Sequence, residues 1–228
     1  MPLRPLPGIK ACVFDVYGTL FDFASAARAC PDVPVEAADR LTALWRDKQV
    51  QYTWLRAAQG RHADFMQVTA DALDFALETL ALDRPGLRAR LLDLYLTLAA
   101  FPEVTDTLTR LRAAGLRTAI LSNGTPAMLA AAVTAAGLGD LFDAALSVEE
   151  VGAFKPDPRV YQLAVDRLGF PAAAIAFVSS NGWDAHAASA FGMRVVWCNR
   201  YGQRRERLPG APDREITTLA ELPALVGA

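Results

Sequence analysis

Short apolar runs alternate with longer amphipathic stretches along most of this chain, and one long stretch near its beginning carries no strand pattern at all. The runs are Ile9–Phe14, Thr118–Leu121, Ala144–Leu146, Ile175–Val178 and Val195–Cys198. Each is brief, apolar and bounded by polar residues or glycine, which reads as a strand buried on both faces of a parallel sheet. Between them lie helical patterns with recognisable stops: Val104–Ala114 before Gly115, Pro126–Ala136 before Gly137, and Pro158–Leu168 before Gly169. Strand followed by helix, repeated, predicts a doubly wound α/β sheet with right-handed crossovers. From Val35 to Ala99 the pattern is helical instead. Leu41, Leu44, Trp45 and Lys48 share one helix, followed by Phe65–Leu80 and Leu87–Leu98. This predicts an all-helical cap over 21–100, inserted after the first strand into a discontinuous core of 1–20 and 101–228. The tail beyond Tyr201, with Arg204, Arg205, Glu206 and Arg207, reads as a solvated loop before a last strand and helix, and no function is expected of it.

Composition narrows the partners. The 228 residues are 53% hydrophobic and 21% charged, with a net charge of −2, so there is no surplus of positive charge to hold nucleic acid. The opening Met-Pro-Leu-Arg-Pro-Leu-Pro-Gly does not read as a secretion signal, and no apolar run is long enough for a membrane span. Cys12, Cys30 and Cys198 are widely spaced, without a C-x-x-C pair. They suit buried thiols in a reducing cytoplasm better than disulfides or zinc ligands.

In an open parallel sheet, ligands bind beyond the carboxyl ends of the strands. The residues that follow each predicted strand therefore matter most. Strand one delivers Asp15-Val16-Tyr17-Gly18-Thr19-Leu20, and strand two delivers Ser122-Asn123-Gly124. A later loop supplies Ala153-Phe154-Lys155-Pro156, and strand four delivers Ser179-Ser180-Asn181-Gly182-Trp183-Asp184. Two carboxylates at parallel-strand ends are costly without a task, so Asp15 and Asp184 point to chemistry.

This set of motifs resembles the haloacid dehalogenase superfamily, and the match spans nearly the whole chain. Its members place a nucleophilic aspartate in D-x-x-x-T, then a Ser or Thr, a Lys and an acidic motif. Within the superfamily the chain looks like an L-2-haloacid dehalogenase of type II rather than a phosphatase. The phosphatases keep an acid two residues after the nucleophile, where this sequence has Tyr17. They also keep a magnesium-ligating aspartate in the fourth motif, where this sequence has Ser180. The cap segments Leu44-Trp45-Arg46-Asp47-Lys48-Gln49 and Tyr52-Thr53-Trp54-Leu55-Arg56 add to the resemblance. They identify Arg46 with the arginine that meets the departing halide, while Asp47, pointing elsewhere on the helix, is expected to face water.

The resemblance implies a metal-independent, cofactor-free hydrolase that converts small L-2-haloalkanoic acids to D-2-hydroxy acids with release of halide. The catalytic set it implies is Asp15, Thr19, Arg46, Lys155, Ser179, Asn181 and Asp184. Substrate and halide would meet Tyr17, Arg46, Ser122, Asn123, Lys155 and Tyr161, with Val50, Phe65 and Trp183 as dry walls. It implies a homodimer formed through cap helices, and Gly18 lies where a hinge for cap closure could sit. Neither nucleic acid nor membrane is an expected partner.

Blander readings compete residue by residue. Taken alone, Arg46 would be a surface arginine, Lys155 a loop charge before proline, Tyr161 a core-packing helix residue, and Asn123-Gly124 a turn. His62 and His186 are read as incidental, since no G-x-S-x-G elbow accompanies them. Two whole-protein alternatives remain: a magnesium-dependent phosphatase or phosphotransferase of the same fold, and a catalytically silent scaffold.

Overall fold

The computed structural model describes residues 5–82 and 84–228. The first residues of the segment read above for a secretion signal, 1–4, lie outside the described residues, as does Asp83. Six strands form one sheet: β1 (Ala11–Phe14), β2 (Arg117–Ser122), β3 (Ala144–Ser147), β4 (Ile175–Ser179), β5 (Arg194–Cys198) and β6 (Arg214–Ile216). Every pairing is parallel, in the order β3-β2-β1-β4-β5-β6. The apolar runs become strands because both faces are covered. Val13, Phe14, Ile120, Leu121, Phe177, Val178, Val195 and Val196 are all fully buried.

The helices that cover the sheet are α5 (Val104–Ala113), α6 (Pro126–Ala135), α7 (Pro158–Leu168), α8 (Gly182–Phe191) and α9 (Leu222–Val226). Their ends follow local chemistry. Thr125 and Asp157 accept hydrogen bonds from the first turns of α6 and α7, each of which begins with proline. Gly169 ends α7 at a φ of 72°.

Between β1 and α5 run α1 (Ser25–Ala29), α2 (Val35–Ala58), α3 (Phe65–Thr79) and α4 (Leu87–Leu96), with no strand among them. α2 follows Pro34 and has no glycine or proline inside it, so nothing interrupts its backbone ladder. Leu41, Trp45, Gln49 and Thr53 form its buried stripe at four-residue spacing. Trp45 donates its indole N–H to the Thr69 carbonyl at 2.9 Å, fixing α2 on α3. Two chain crossings tie this helical insertion to the sheet. Phe101 N–H donates to Leu20 O at 3.0 Å, Asp22 N–H to Ala99 O at 2.8 Å, and Phe21 bridges Ala100. The predicted strand and helix limits shift by one or two residues at their ends, where hydrogen-bond ladders fray.

No described helix is long and apolar enough to cross a membrane. Cys12, Cys30 and Cys198 are free and buried, as expected of small hydrophobic side chains. Burial pushes the Cys12 thiol up to about 12, which keeps it protonated at neutral pH.

Candidate active site

The sheet changes direction at β1: β2 and β3 lie to one side and β4 to β6 to the other. The loops leaving β1 and β4 therefore diverge and leave a crevice above their ends. Asp15 stands immediately past β1 and Asp184 in the first turn of α8, and both are buried. Lys155, only 1% exposed, reaches between them, with its Nζ 3.1 Å from Asp15 Oδ1 and 2.8 Å from Asp184 Oδ2. Burial alone would lower the Lys155 pKa, but the two carboxylates outweigh it and raise it above the ordinary 10.5. Burial and then Asp15 push the Asp184 carboxyl up, opposed by Lys155 and by the Tyr161 hydroxyl, which donates to Asp184 Oδ1 at 2.7 Å.

The second oxygen of Asp15 is held by two donors. Asn181 Nδ2 donates to Oδ2 at 2.8 Å and the Thr19 hydroxyl at 3.2 Å. Thr19 is itself fixed, because its hydroxyl oxygen accepts from Ser180 N–H at 2.7 Å. The loop that returns Thr19 under Asp15 turns at Gly18, whose φ of 87° is left-handed; a Cβ there would lie 3.0 Å from both the Phe23 ring and Ser180 Oγ.

Arg46 enters from α2. Its Nη1 donates to Gln49 Oε1 at 2.7 Å and its Nη2 to Asn181 Oδ1 at 3.3 Å, so one asparagine side chain contacts both the guanidinium and Asp15. Gln49 is buried and in turn donates to Thr69 Oγ1 at 2.7 Å and to the Tyr95 hydroxyl at 3.0 Å. Gln49 lies in the cap segment that carries the resemblance, and its aiming of the arginine leaves no separate mark in the sequence. Asp47 is exposed, as expected, but it lines the same cavity as Arg46 rather than a separate face of the helix.

The remaining expected residues fall around this centre. Ser122 Oγ accepts from Gly124 N–H at 3.1 Å, and Asn123 Oδ1 accepts from Lys155 N–H at 3.0 Å, which fastens the β2 loop to the lysine loop. Ser179 Oγ accepts from Asn181 N–H at 3.1 Å, so it shapes the turn that carries Asn181. Tyr17 is buried against Tyr95 and Phe65, with ring centroids 5.3 and 5.5 Å away. Burial, then Tyr95, hold its phenol well above the usual pKa. Val50 and Trp183 line a cavity of about 620 Å³ that also meets Arg46 and Asn181, while Phe65 sits deeper.

Two features were not anticipated. Tyr201, Gln203 and Glu206 of the tail read as functionless also line this cavity. Tyr201 packs on Phe23 with centroids 5.9 Å apart, while 201–210 stay exposed ahead of a last strand and helix, as the solvated-loop reading expects. His62, read as incidental, joins the insertion to the core: its Nε2 lies 3.0 Å from Glu149 and its ring 4.8 Å from that of Phe154. Among the described residues no group of three or more His, Cys, Asp or Glu is arranged to hold a metal ion.

Fold and site together define a doubly wound α/β protein built on a buried carboxylate–ammonium–carboxylate triad, with an arginine delivered from an inserted helical segment. The haloacid dehalogenase-like hydrolase profile matches residues 9–192. (S)-2-haloacid dehalogenase 1 of Pseudomonas sp. (strain CBS-3) is 46% identical over 219 residues, covering 96% of each chain. The (S)-2-haloacid dehalogenase of Pseudomonas sp. (strain YL) is 48% identical over 212 residues, covering 92% of this chain and 91% of its own. A solved structure of L-2-haloacid dehalogenase from Xanthobacter autotrophicus with chloropropionic acid covalently bound superposes with a TM-score of 0.88. It is 40% identical, over 95% of this chain and 98% of that one. The chain belongs to the haloacid dehalogenase-like hydrolase family, and within it to the branch of (S)-2-haloacid dehalogenases.

Proposed function

We propose that this enzyme hydrolyses short-chain L-2-haloalkanoic acids to D-2-hydroxyalkanoic acids and halide through an ester formed on Asp15. One observation carries the reading: Asp15 is held by Lys155, Thr19 and Asn181 while Arg46 contacts the same Asn181 side chain. A carboxylate attacking an anionic substrate needs positive charge to offset repulsion, and Lys155 supplies it. The substrate carboxylate takes hydrogen bonds from Ser122, Lys155 and the backbone N–H groups near Tyr17 and Asn123. Its alkyl group packs on Tyr17, Val50, Phe65 and Trp183.

An Asp15 carboxylate oxygen forms a bond to C2 from the side opposite the halogen, and the carbon–halogen bond breaks with its electron pair leaving on the halide. Inversion at C2 follows from that geometry. Arg46 and Asn123 are aimed where the negative charge develops. Water then adds at the Asp15 carboxyl carbon, positioned and relieved of its proton by the group of Asp184, Asn181, Lys155 and Ser179, and Tyr161 orients Asp184. The C–O bond on the enzyme side breaks, so the product keeps the oxygen that attacked. Supporting this reading, a relative with 40% identity has been captured with chloropropionic acid covalently bound. Tyr17, whose phenol is held neutral, replaces the acid that a phosphatase would use to protonate an alkoxide.

On this reading residues 21–100 form a cap domain over a core of 1–20 and 101–228. The enzyme works without metal or cofactor in the cytoplasm, as a homodimer joined through cap helices. Halide release from each enantiomer of 2-chloropropionate, with and without EDTA, tests the proposal. Release from the L form, unchanged by chelator, is expected; turnover of the D form or dependence on added metal would overturn it. Arg46→Gln should lower kcat by roughly 10²- to 10³-fold, the usual loss for one donor aimed at developing charge, while KM changes far less. Steady-state halide release by the variant measures both.

A further inference from the structure

β5 is followed by Asn199-Arg200, and the arginine turns back toward the nucleophile's loop instead of outward to water. Its Nη2 donates to the Thr19 carbonyl at 3.1 Å. Its Nη1 lies 2.5 Å from Glu103 Oε1, and its guanidinium carbon sits 4.0 Å above the Phe101 ring. The side chain is 10% exposed, and its Nε is buried without a hydrogen-bond partner among the described residues. Glu103 is anchored in turn by the Thr218 hydroxyl at 3.1 Å and Leu219 N–H at 3.3 Å.

These contacts fall on both crossings between core and cap. Thr19 and Leu20 lead out to the cap; Phe101 and Glu103 lead back, and Phe101 N–H meets Leu20 O. Thr19 is also the residue whose hydroxyl touches Asp15 and whose oxygen accepts from Ser180. A planar guanidinium can serve a carbonyl, a carboxylate and an aromatic face at once, which an ammonium cannot. We propose that Arg200 is a positioning residue: it ties the Thr19 carbonyl to the returning crossing and so holds Asp15 in line for attack whatever the cap does. Burying a charged guanidinium is a cost that packing alone does not require, since a neutral apolar side chain could cover Phe101.

The proposal rests on the dehalogenase reading for its kinetic arm only. In full-length protein, Arg200→Met should lower kcat on L-2-chloropropionate by roughly 10- to 100-fold with KM within about threefold, the signature of misplaced reacting groups in a site that still binds. Arg200→Lys, which keeps the charge and N–H donors but not the planar fork, should recover part of that loss. Amide exchange followed by mass spectrometry should quicken in peptides spanning 15–22 and 99–103, with little change in β3 or α6. A folded Arg200→Met protein with wild-type kcat, or with unaltered exchange in those peptides, overturns the assignment. So does a loss of activity that merely tracks the unfolded fraction. If the wild-type enzyme turns over neither enantiomer, the dehalogenase reading falls, and exchange alone decides the tether. Should Arg200→Met not fold, Glu103→Gln loosens the same anchor and is read by the same two measurements.

Discussion

Asp15→Asn protein will release halide at least ~10⁴-fold more slowly than wild type while remaining folded, the scale seen when a covalent nucleophile is removed. The substitution keeps the side chain's shape but replaces one oxygen by an amide nitrogen, removing the negative charge. Lys155 Nζ, 3.1 Å from Oδ1, then faces a neutral partner but keeps Asp184 at 2.8 Å. The ammonium therefore stays paired, and stability should suffer far less than turnover. Two measurements separate chemistry from binding. Intact-protein mass spectrometry under single turnover should find a substrate-sized adduct on wild type and none on the variant. Oxygen-18 water should label the carboxylate of wild-type Asp15 before it labels product, because the proposed route has hydrolysis attack the enzyme's carbonyl carbon. Label passing straight into the hydroxy acid, with the protein left light, would rule out the ester.

Lys155→Met should have the second largest effect, on stability as well as rate. Removing one partner of a buried ion pair typically costs about 3–5 kcal/mol, because the charges left behind keep their desolvation penalty without compensation. Here two carboxylates would be left. Without the ammonium, burial and Asp15 push the Asp184 carboxyl up with less to oppose them. An acid whose folded pKa is raised binds its proton more tightly when folded, so stability falls as pH rises through that value and returns in acid. The deficit of the variant should therefore be smaller in mildly acidic buffer than at neutral pH. The alkaline limb has a different cause. The Lys155 pKa is raised above 10.5, so the stability it contributes is complete below 10.5 and is lost as pH climbs through the folded value. Wild type should weaken there, and the methionine variant, having no such proton to lose, should show a flatter limb. Urea midpoints across the pH range measure both.

The parts of the site that were legible in the sequence are those written locally. Asp15, Ser122 and Ser179 sit at strand ends, where an alternating α/β pattern already tells the reader to look, and the fold obeys that rule because a parallel sheet leaves no other place for a crevice. The resemblance named Arg46, but its direction was not readable. That depends on Gln49 being locked by Thr69 and Tyr95, from α3 and α4. Arg200 could have been found by applying the strand-end rule to β5 as well, since Asn199-Arg200 breaks the apolar run of Val195–Cys198. Its partners Thr19 and Glu103 lie far away in sequence, and no periodicity marks such a pairing. The loop of Tyr201, Gln203 and Glu206 looked merely charged because only its packing on Phe23 turns it toward the cavity.

Trp54 of α2 and Trp183 of α8 meet edge to face, with ring centroids 5.4 Å apart, and both border the 620 Å³ cavity and a second, more apolar one of about 780 Å³. Of the four tryptophans, Trp45 and Trp197 are buried, whereas Trp54 is exposed. The enzyme thus carries its own optical gauge. Any parting of the helical insertion from the core would change the surroundings of this indole pair, so fluorescence would report it without an attached label.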